Sequence, residues 1–241
     1  MFQDVYEWFS PALGRDMTLR VYGHAGARVL VFPTSFAHAR EWEDFKMVDA
    51  LAHHLEQGWV QLYCVEQNNE DSWYAKRRPV EERVHNHLCF ERYLLDEVLP
   101  LSKNLNDNPY LIAAGCSFGA LHSVLFGFRH PELVDRIVAM SGYYDAARFL
   151  GYENGAAGYY INPIAFVGGI RDDEQRNMLR HQDIILAIGH DDPSFANNAA
   201  LSDALSHQGI WHAFRVWDGW AHDWPYWREM VLRYIGGPES R

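Results

Sequence analysis

Tyr110-Leu111-Ile112-Ala113-Ala114-Gly115-Cys116-Ser117-Phe118-Gly119-Ala120-Leu121-His122 is the stretch that decides the fold. It begins as an apolar run of strand character. It passes through Gly-x-Ser-x-Gly and enters a helical pattern over 120–130 that stops before Pro131. The expectation is a strand, a sharp turn and a helix in immediate succession. Glycine at 115 and 119 removes the side chains that would collide at such a turn, and the new helix aims its positive end at Ser117. Ser117 is therefore the candidate nucleophile. Cys116, the chemical rival, precedes the apex, where its side chain points into packing.

Reading outward, short apolar runs alternate with longer amphipathic ones. Arg28 to Pro33, Val60 to Val65, Arg136 to Met140, Asp183 to Ile188 and His212 to Trp217 read as strands covered on both faces. Met17 to Tyr22 alternates as an antiparallel edge strand does. Helices are expected over Phe45 to Gln57, Glu81 to Leu99, Ala196 to Gln208 and Trp224 to Tyr234, with Gly58, Pro100, Gly209 and Gly236-Gly237-Pro238 as their stops. Strands alternating with helices predict one α/β domain over 1–241, a mostly parallel sheet with helices on both faces. With the serine turn, this is the α/β-hydrolase fold. Residues 143–180 are expected to form an irregular insert near the edge where the strands end.

The fold places its catalytic groups in the order serine, acid, histidine. Of thirteen histidines, His222 alone follows the last strand and precedes the last helix, in Asp218-Gly219-Trp220-Ala221-His222-Asp223-Trp224. It is the expected general base; His190 is a weaker one, because it shares a loop with the acid. That loop, Gly189-His190-Asp191-Asp192-Pro193, offers two aspartates. Adjacent side chains on an extended loop point opposite ways, so one of them serves, and spacing does not choose. The oxyanion donors are expected from the backbone N–H of Phe118 and of Ser35, with Thr34 and Phe36 as alternatives to Ser35; Pro33 has no N–H.

The formal net charge is −11, from 21 basic and 32 acidic side chains, which repels phosphate backbones and anionic lipid and so excludes nucleic acid as a partner. No apolar run is long enough to span a bilayer and the first residues do not read as a signal peptide, so neither a membrane partner nor export is expected. Cys64, Cys89 and Cys116 read as reduced thiols of a cytoplasmic protein. No spacing suggests zinc, and neither metal nor organic cofactor is expected.

The sequence resembles the putative-esterase family of α/β hydrolases, which includes enterochelin esterases, feruloyl esterases, S-formylglutathione hydrolases and mycolyltransferases. The likeness rests on Ser10-Pro11-Ala12-Leu13-Gly14-Arg15, the turn at 115–119, Gly189 to Pro193 and His222-Asp223-Trp224-Pro225-Tyr226-Trp227. It implies Asp192 as the acid, directly before Pro193-Ser194-Phe195, and supports His222 as the base. The expected activity is hydrolysis of a small-molecule carboxylic ester through an acyl-enzyme; acyl transfer or thioester cleavage by the same residues is the alternative, and a non-catalytic binding protein of this fold is a weaker one. Phe36, Trp73 and Trp224 are expected to line the substrate cleft, and Tyr74 and Phe118 also fall on or near the catalytic loops; for each, a place in the core is the alternative.

Overall fold

In a computed structural model, which describes residues 2–151 and 158–236, the apolar runs become neighbours in a single eight-stranded sheet. The strands are β1 Gln3–Ser10, β2 Arg15–Tyr22, β3 Ala27–Phe32, β4 Val60–Val65, β5 Leu111–Cys116, β6 Arg136–Met140, β7 Asp183–Gly189 and β8 Ala213–Trp217, in the order β1-β2-β4-β3-β5-β6-β7-β8. From β4 through β8 every pairing is parallel. β1 and β2 form an antiparallel hairpin, and β2 runs antiparallel to β4.

The alternation of side chains along each strand feeds two cores. Leu30, Phe32, Ala113 and Ile137 face one layer, with Leu121, Val124 and Phe128 from a helix. Val29, Val31, Ile112 and Val138 face the other, with Leu51, Leu55, Met230 and Val231. Truncating any one of the fully buried leucines or isoleucines to alanine costs about 2–5 kcal/mol.

The helices are α1 Glu41–Asp44, α2 Met47–Ala50, α3 Ala52–Glu56, α4 Val80–Tyr93, α5 Leu99–Leu105, α6 Phe118–Arg129, α7 Ala147–Leu150, α8 Pro163–Gly169, α9 Asp173–His181, α10 Phe195–His207 and α11 Trp224–Tyr234. Three expectations are corrected. The edge strand is β1, not 17–22; β1 lies outside β2, and its Tyr6 and Trp8 face the core. The helix expected over 45–57 is two short ones, α2 and α3, meeting at Leu51 (φ −88°, ψ 6°), and it starts only after Lys46, whose φ of 67° is a left-handed conformation that interrupts a helix. Pro100 does not stop its helix. A π-helical turn at Leu94–Val98 precedes it, and the wider turn accommodates the missing N–H and the proline ring at the start of α5.

The segment 143–180 holds α7, α8 and α9 rather than irregular chain; residues 152–157 lie outside the described part, as do Gly237 and Pro238. Asn162 and Asp172 cap α8 and α9 with their side chains, and Pro163 opens α8. No helix among the described residues is long and apolar enough to cross a membrane.

Candidate active site

The parallel strands deliver their C-terminal ends to one edge, and the predicted site residues gather there. β5 ends at Cys116, and Ser117 follows with φ 52° and ψ −115°. Two contacts hold that turn. A Cβ on Gly115 would lie 2.3 Å from the carbonyl of Gly119, and one on Gly119 would lie 2.2 Å from the carbonyl oxygen of Phe32. Only glycine allows this approach. Ser117 N–H also donates to Met140 O of the adjacent strand at 2.8 Å.

His222 reaches the serine from the loop between β8 and α11. Its Nε2 lies 3.1 Å from Ser117 Oγ and its Nδ1 lies 2.6 Å from Asp192 Oδ2. An ionised carboxylate only accepts, so Nδ1–H donates to Asp192 and Nε2 is left to accept from the serine hydroxyl. Asp192 is buried, and its Oδ1 accepts from Ser194 N–H at 2.7 Å. Asp191 points away: its carboxylate is solvent-exposed and lies 2.9 Å from His190 Nδ1. The acid and histidine loops are locked together. Asp191 N–H donates to Gly219 O at 2.9 Å, and a Cβ on Gly189 would meet Trp220 O at 2.1 Å.

Two imidazoles lie deeper than His222 and do a different job. His87 and His122 are buried, and burial pushes His87 down to about 4 and His122 well below the ordinary value, so both stay neutral. They pack against Trp73 behind Phe118. Burial likewise raises the thiol of Cys116, which keeps it protonated.

The loop after β3 is held from two sides. Thr34 N–H donates to the buried Glu41 at 2.7 Å, and the Thr34 hydroxyl donates to the same carboxylate. That removes Thr34 N–H from the candidate oxyanion donors. The Gln67 amide donates to Thr34 O at 2.6 Å and to Ala37 O at 3.0 Å. Ser35 is left lining the cleft with Ser117, and its hydroxyl lies 2.6 Å from Tyr74 Oη. Phe118 opens α6, so its N–H has no carbonyl one turn behind it.

The cleft holds about 460 Å³ beside Ser117 and His222. Its aromatic walls are Tyr74, Phe118, Tyr143, Phe149 and Trp220; of the aromatic residues expected there, Tyr74 and Phe118 line it, and Phe36, Trp73 and Trp224 do not. Trp73 is 1% exposed; it packs edge-on against Phe118 from behind and donates to His87 Nδ1. Phe36 packs at a tilt against Tyr74, 4.3 Å between ring centroids, but is 61% exposed and lines a separate depression. Trp224 stacks flat on Phe45, away from the cleft.

Sequence reasoning also passed over Ser141. It follows β6 with φ 54°, donates to Ala221 O at 3.1 Å and accepts from Trp227 Nε1 at 3.0 Å. Its place at the C-terminal end of the strand beside β5 was the available signal. Ser141→Ala strands a buried carbonyl and a buried indole N–H next to His222. It is expected to destabilise the protein by about 1–3 kcal/mol, read as a lowered midpoint in urea melts at unchanged slope. An unshifted midpoint would remove Ser141 from the support of this loop.

Among the described residues no group of three or more His, Cys, Asp or Glu side chains is placed to hold a metal ion. A sequence profile of the family described as "Putative esterase" matches residues 10–234. No curated protein sequence matches the chain. Among solved structures, a ferulic acid esterase is 17% identical with a TM-score of 0.72 over 95% of each chain. A CE1 ferulic acid esterase from Anaeromyces mucronatus, in complex with ferulic acid, is 14% identical with a TM-score of 0.73 over 99% of this chain and 90% of that one. An S-formylglutathione hydrolase from Agrobacterium tumefaciens is 16% identical with a TM-score of 0.69 over 95% and 91%. At these identities the likeness is one of fold, that of the α/β hydrolases.

Proposed function

The chain belongs to this esterase family and is a carboxylic ester hydrolase, and we propose that Ser117, His222 and Asp192 carry out the reaction on a small-molecule ester. The observation that carries the reading is the unbroken relay from Ser117 Oγ to His222 Nε2 at 3.1 Å and from His222 Nδ1 to Asp192 Oδ2 at 2.6 Å. His222 takes the serine proton as Oγ attacks the ester carbonyl. The same imidazole returns that proton to the departing alcohol, leaving an acyl-serine. Water then attacks the acyl group, with His222 as base again, and the acid product leaves. Asp192 fixes the tautomer and stabilises the imidazolium. The backbone N–H groups of Phe118 and Ser35 receive the oxyanion, and no cofactor takes part. Free Cys64, Cys89 and Cys116 support a reducing, cytoplasmic setting.

The acyl-enzyme is directly observable. Acid quenching during turnover of p-nitrophenyl acetate, followed by peptide mass spectrometry, should find an acetyl group on Ser117. Acetylation elsewhere, with Ser117 bare, would reject the assignment.

Gln67 is the positioning residue for the oxyanion loop. Replacing it with leucine removes both hydrogen bonds that hold Thr34 O and Ala37 O, and the Ser35 N–H loses its aim. Deleting a direct oxyanion donor costs about 10²–10³ in kcat; loosening one by Gln67→Leu is expected to lower kcat by about tenfold with KM little changed. Steady-state kinetics check it: a rise in KM alone would place Gln67 in substrate binding instead.

A further inference from the structure

We propose that Lys76 and Arg148 form an anion-binding subsite at the mouth of the cleft, which selects esters carrying an anionic group beyond an apolar spacer. The inference rests on the serine-hydrolase reading above and names the substrate class of that site.

An aromatic ladder leads from the nucleophile to these cations. Phe118, next to Ser117, lies 5.2 Å from Phe149 between ring centroids, and Phe149 lies 6.3 Å from Tyr143. The Arg148 guanidinium sits over the Tyr143 ring at 4.7 Å. Lys76 stands on the turn just after Tyr74, tied to it by Lys76 N–H donating to Tyr74 O at 2.8 Å. Both cations line the same cleft as Ser117 and His222.

Neither cation has a carboxylate partner among the described residues. Arg15, Arg20, Arg78, Arg129, Arg136 and Arg176 all do. Arg83 and Arg171 also make no ion pair with a carboxylate among the described residues, but their guanidinium groups are engaged by backbone carbonyls; Lys76 and Arg148 are the cations that line the cleft. Among the described residues, Asp192 is the only carboxylate lining the cleft, and it is buried and engaged with His222. The walls therefore leave the positive potential unneutralised, and a cleft concentrates such a field. The rings between Ser117 and Arg148 favour hydrocarbon or an aromatic ring over charge, so the anion belongs at the far end of the substrate. A guanidinium resting on an aromatic face keeps its N–H fork free for an oxyanion.

The test compares p-nitrophenyl half-esters of adipate, suberate and sebacate with the p-nitrophenyl esters of hexanoate, octanoate and decanoate. Each pair differs in a terminal carboxylate. At low ionic strength the wild-type enzyme is expected to favour the carboxylate member by roughly fivefold or more in kcat/KM at the best length, through KM, and high salt should erode the preference. Lys76→Met with Arg148→Met keeps the apolar stems and should bring the ratio to one or below. A wild-type ratio at or below one at every length, or a ratio the double variant leaves unchanged, overturns the subsite while the esterase reading stands. No turnover in either series, with Ser117 refractory to a fluorophosphonate, overturns the esterase reading and this inference with it.

Discussion

Ser117→Ala is expected to reduce ester hydrolysis by about 10⁴-fold or more, because nothing else in the cleft supplies an activated nucleophile. The fold should survive. Among the described residues the Ser117 hydroxyl is hydrogen-bonded to His222 alone, whereas the bond that fixes the turn comes from the backbone N–H to Met140 O and is retained. Serine and alanine carry the same Cβ, so the positive φ costs the variant nothing new. His222→Gln is expected to be comparably inactive, and the double variant no worse than either single one, since members of such a relay act as a unit. Turnover of a short-chain activated ester, with circular dichroism and a thermal melt as controls, reads all three. A folded Ser117→Ala enzyme with near-wild-type turnover would sink the nucleophile assignment. Strictly additive losses in the double variant would mean the two side chains act separately.

Asp192→Asn is expected to lower kcat by up to about 10⁴-fold, and Asp191→Asn to leave it within a small factor. The geometry gives the reason. Ser194 N–H needs an acceptor, so the carbonyl oxygen of the substituted amide would turn to it and the amide nitrogen would face His222 Nδ1. An N–H there forces Nδ1 to accept, which puts the imidazole proton on Nε2, facing Ser117. That tautomer cannot take the serine proton. Asp191 lies in solvent beside His190, with no path to the nucleophile. The ratio of the two kcat values is the readout; an Asp191→Asn enzyme more damaged than Asp192→Asn would make Asp191 the acid of the relay.

The site was more legible in the sequence than the cleft around it, and the difference is physical. Ser117, the Gly189 to Pro193 loop and His222 follow apolar runs, and parallel topology sends the ends of such runs to one edge. Composition at strand ends therefore located them. Choosing Asp192 over Asp191 was not possible from spacing; it took the family resemblance, and in the structure burial separates the two. The cleft walls depend on which way a ring turns after the chain folds. Trp73 and Tyr74 are neighbours in sequence, yet Trp73 packs inward on His87 while Tyr74 faces Ser35. Gln3 to Ser10 alternates weakly in sequence and its inner face is only partly covered, so β1 carries no clear strand signal. The helix that hydrophobic spacing starts at Phe45 begins only after Lys46, since spacing does not register a left-handed residue.

If His222 makes Ser117 nucleophilic, the wild-type, Ser117→Ala and His222→Gln proteins will differ in their reaction with a fluorophosphonate, read by mapping the adduct with peptide mass spectrometry. One adduct is expected on Ser117 in the wild type, none in Ser117→Ala, and labelling of His222→Gln slowed by orders of magnitude. Labelling of His222→Gln at the wild-type rate, or an adduct on any other residue with Ser117 unmodified, would contradict the activation of Ser117 by His222.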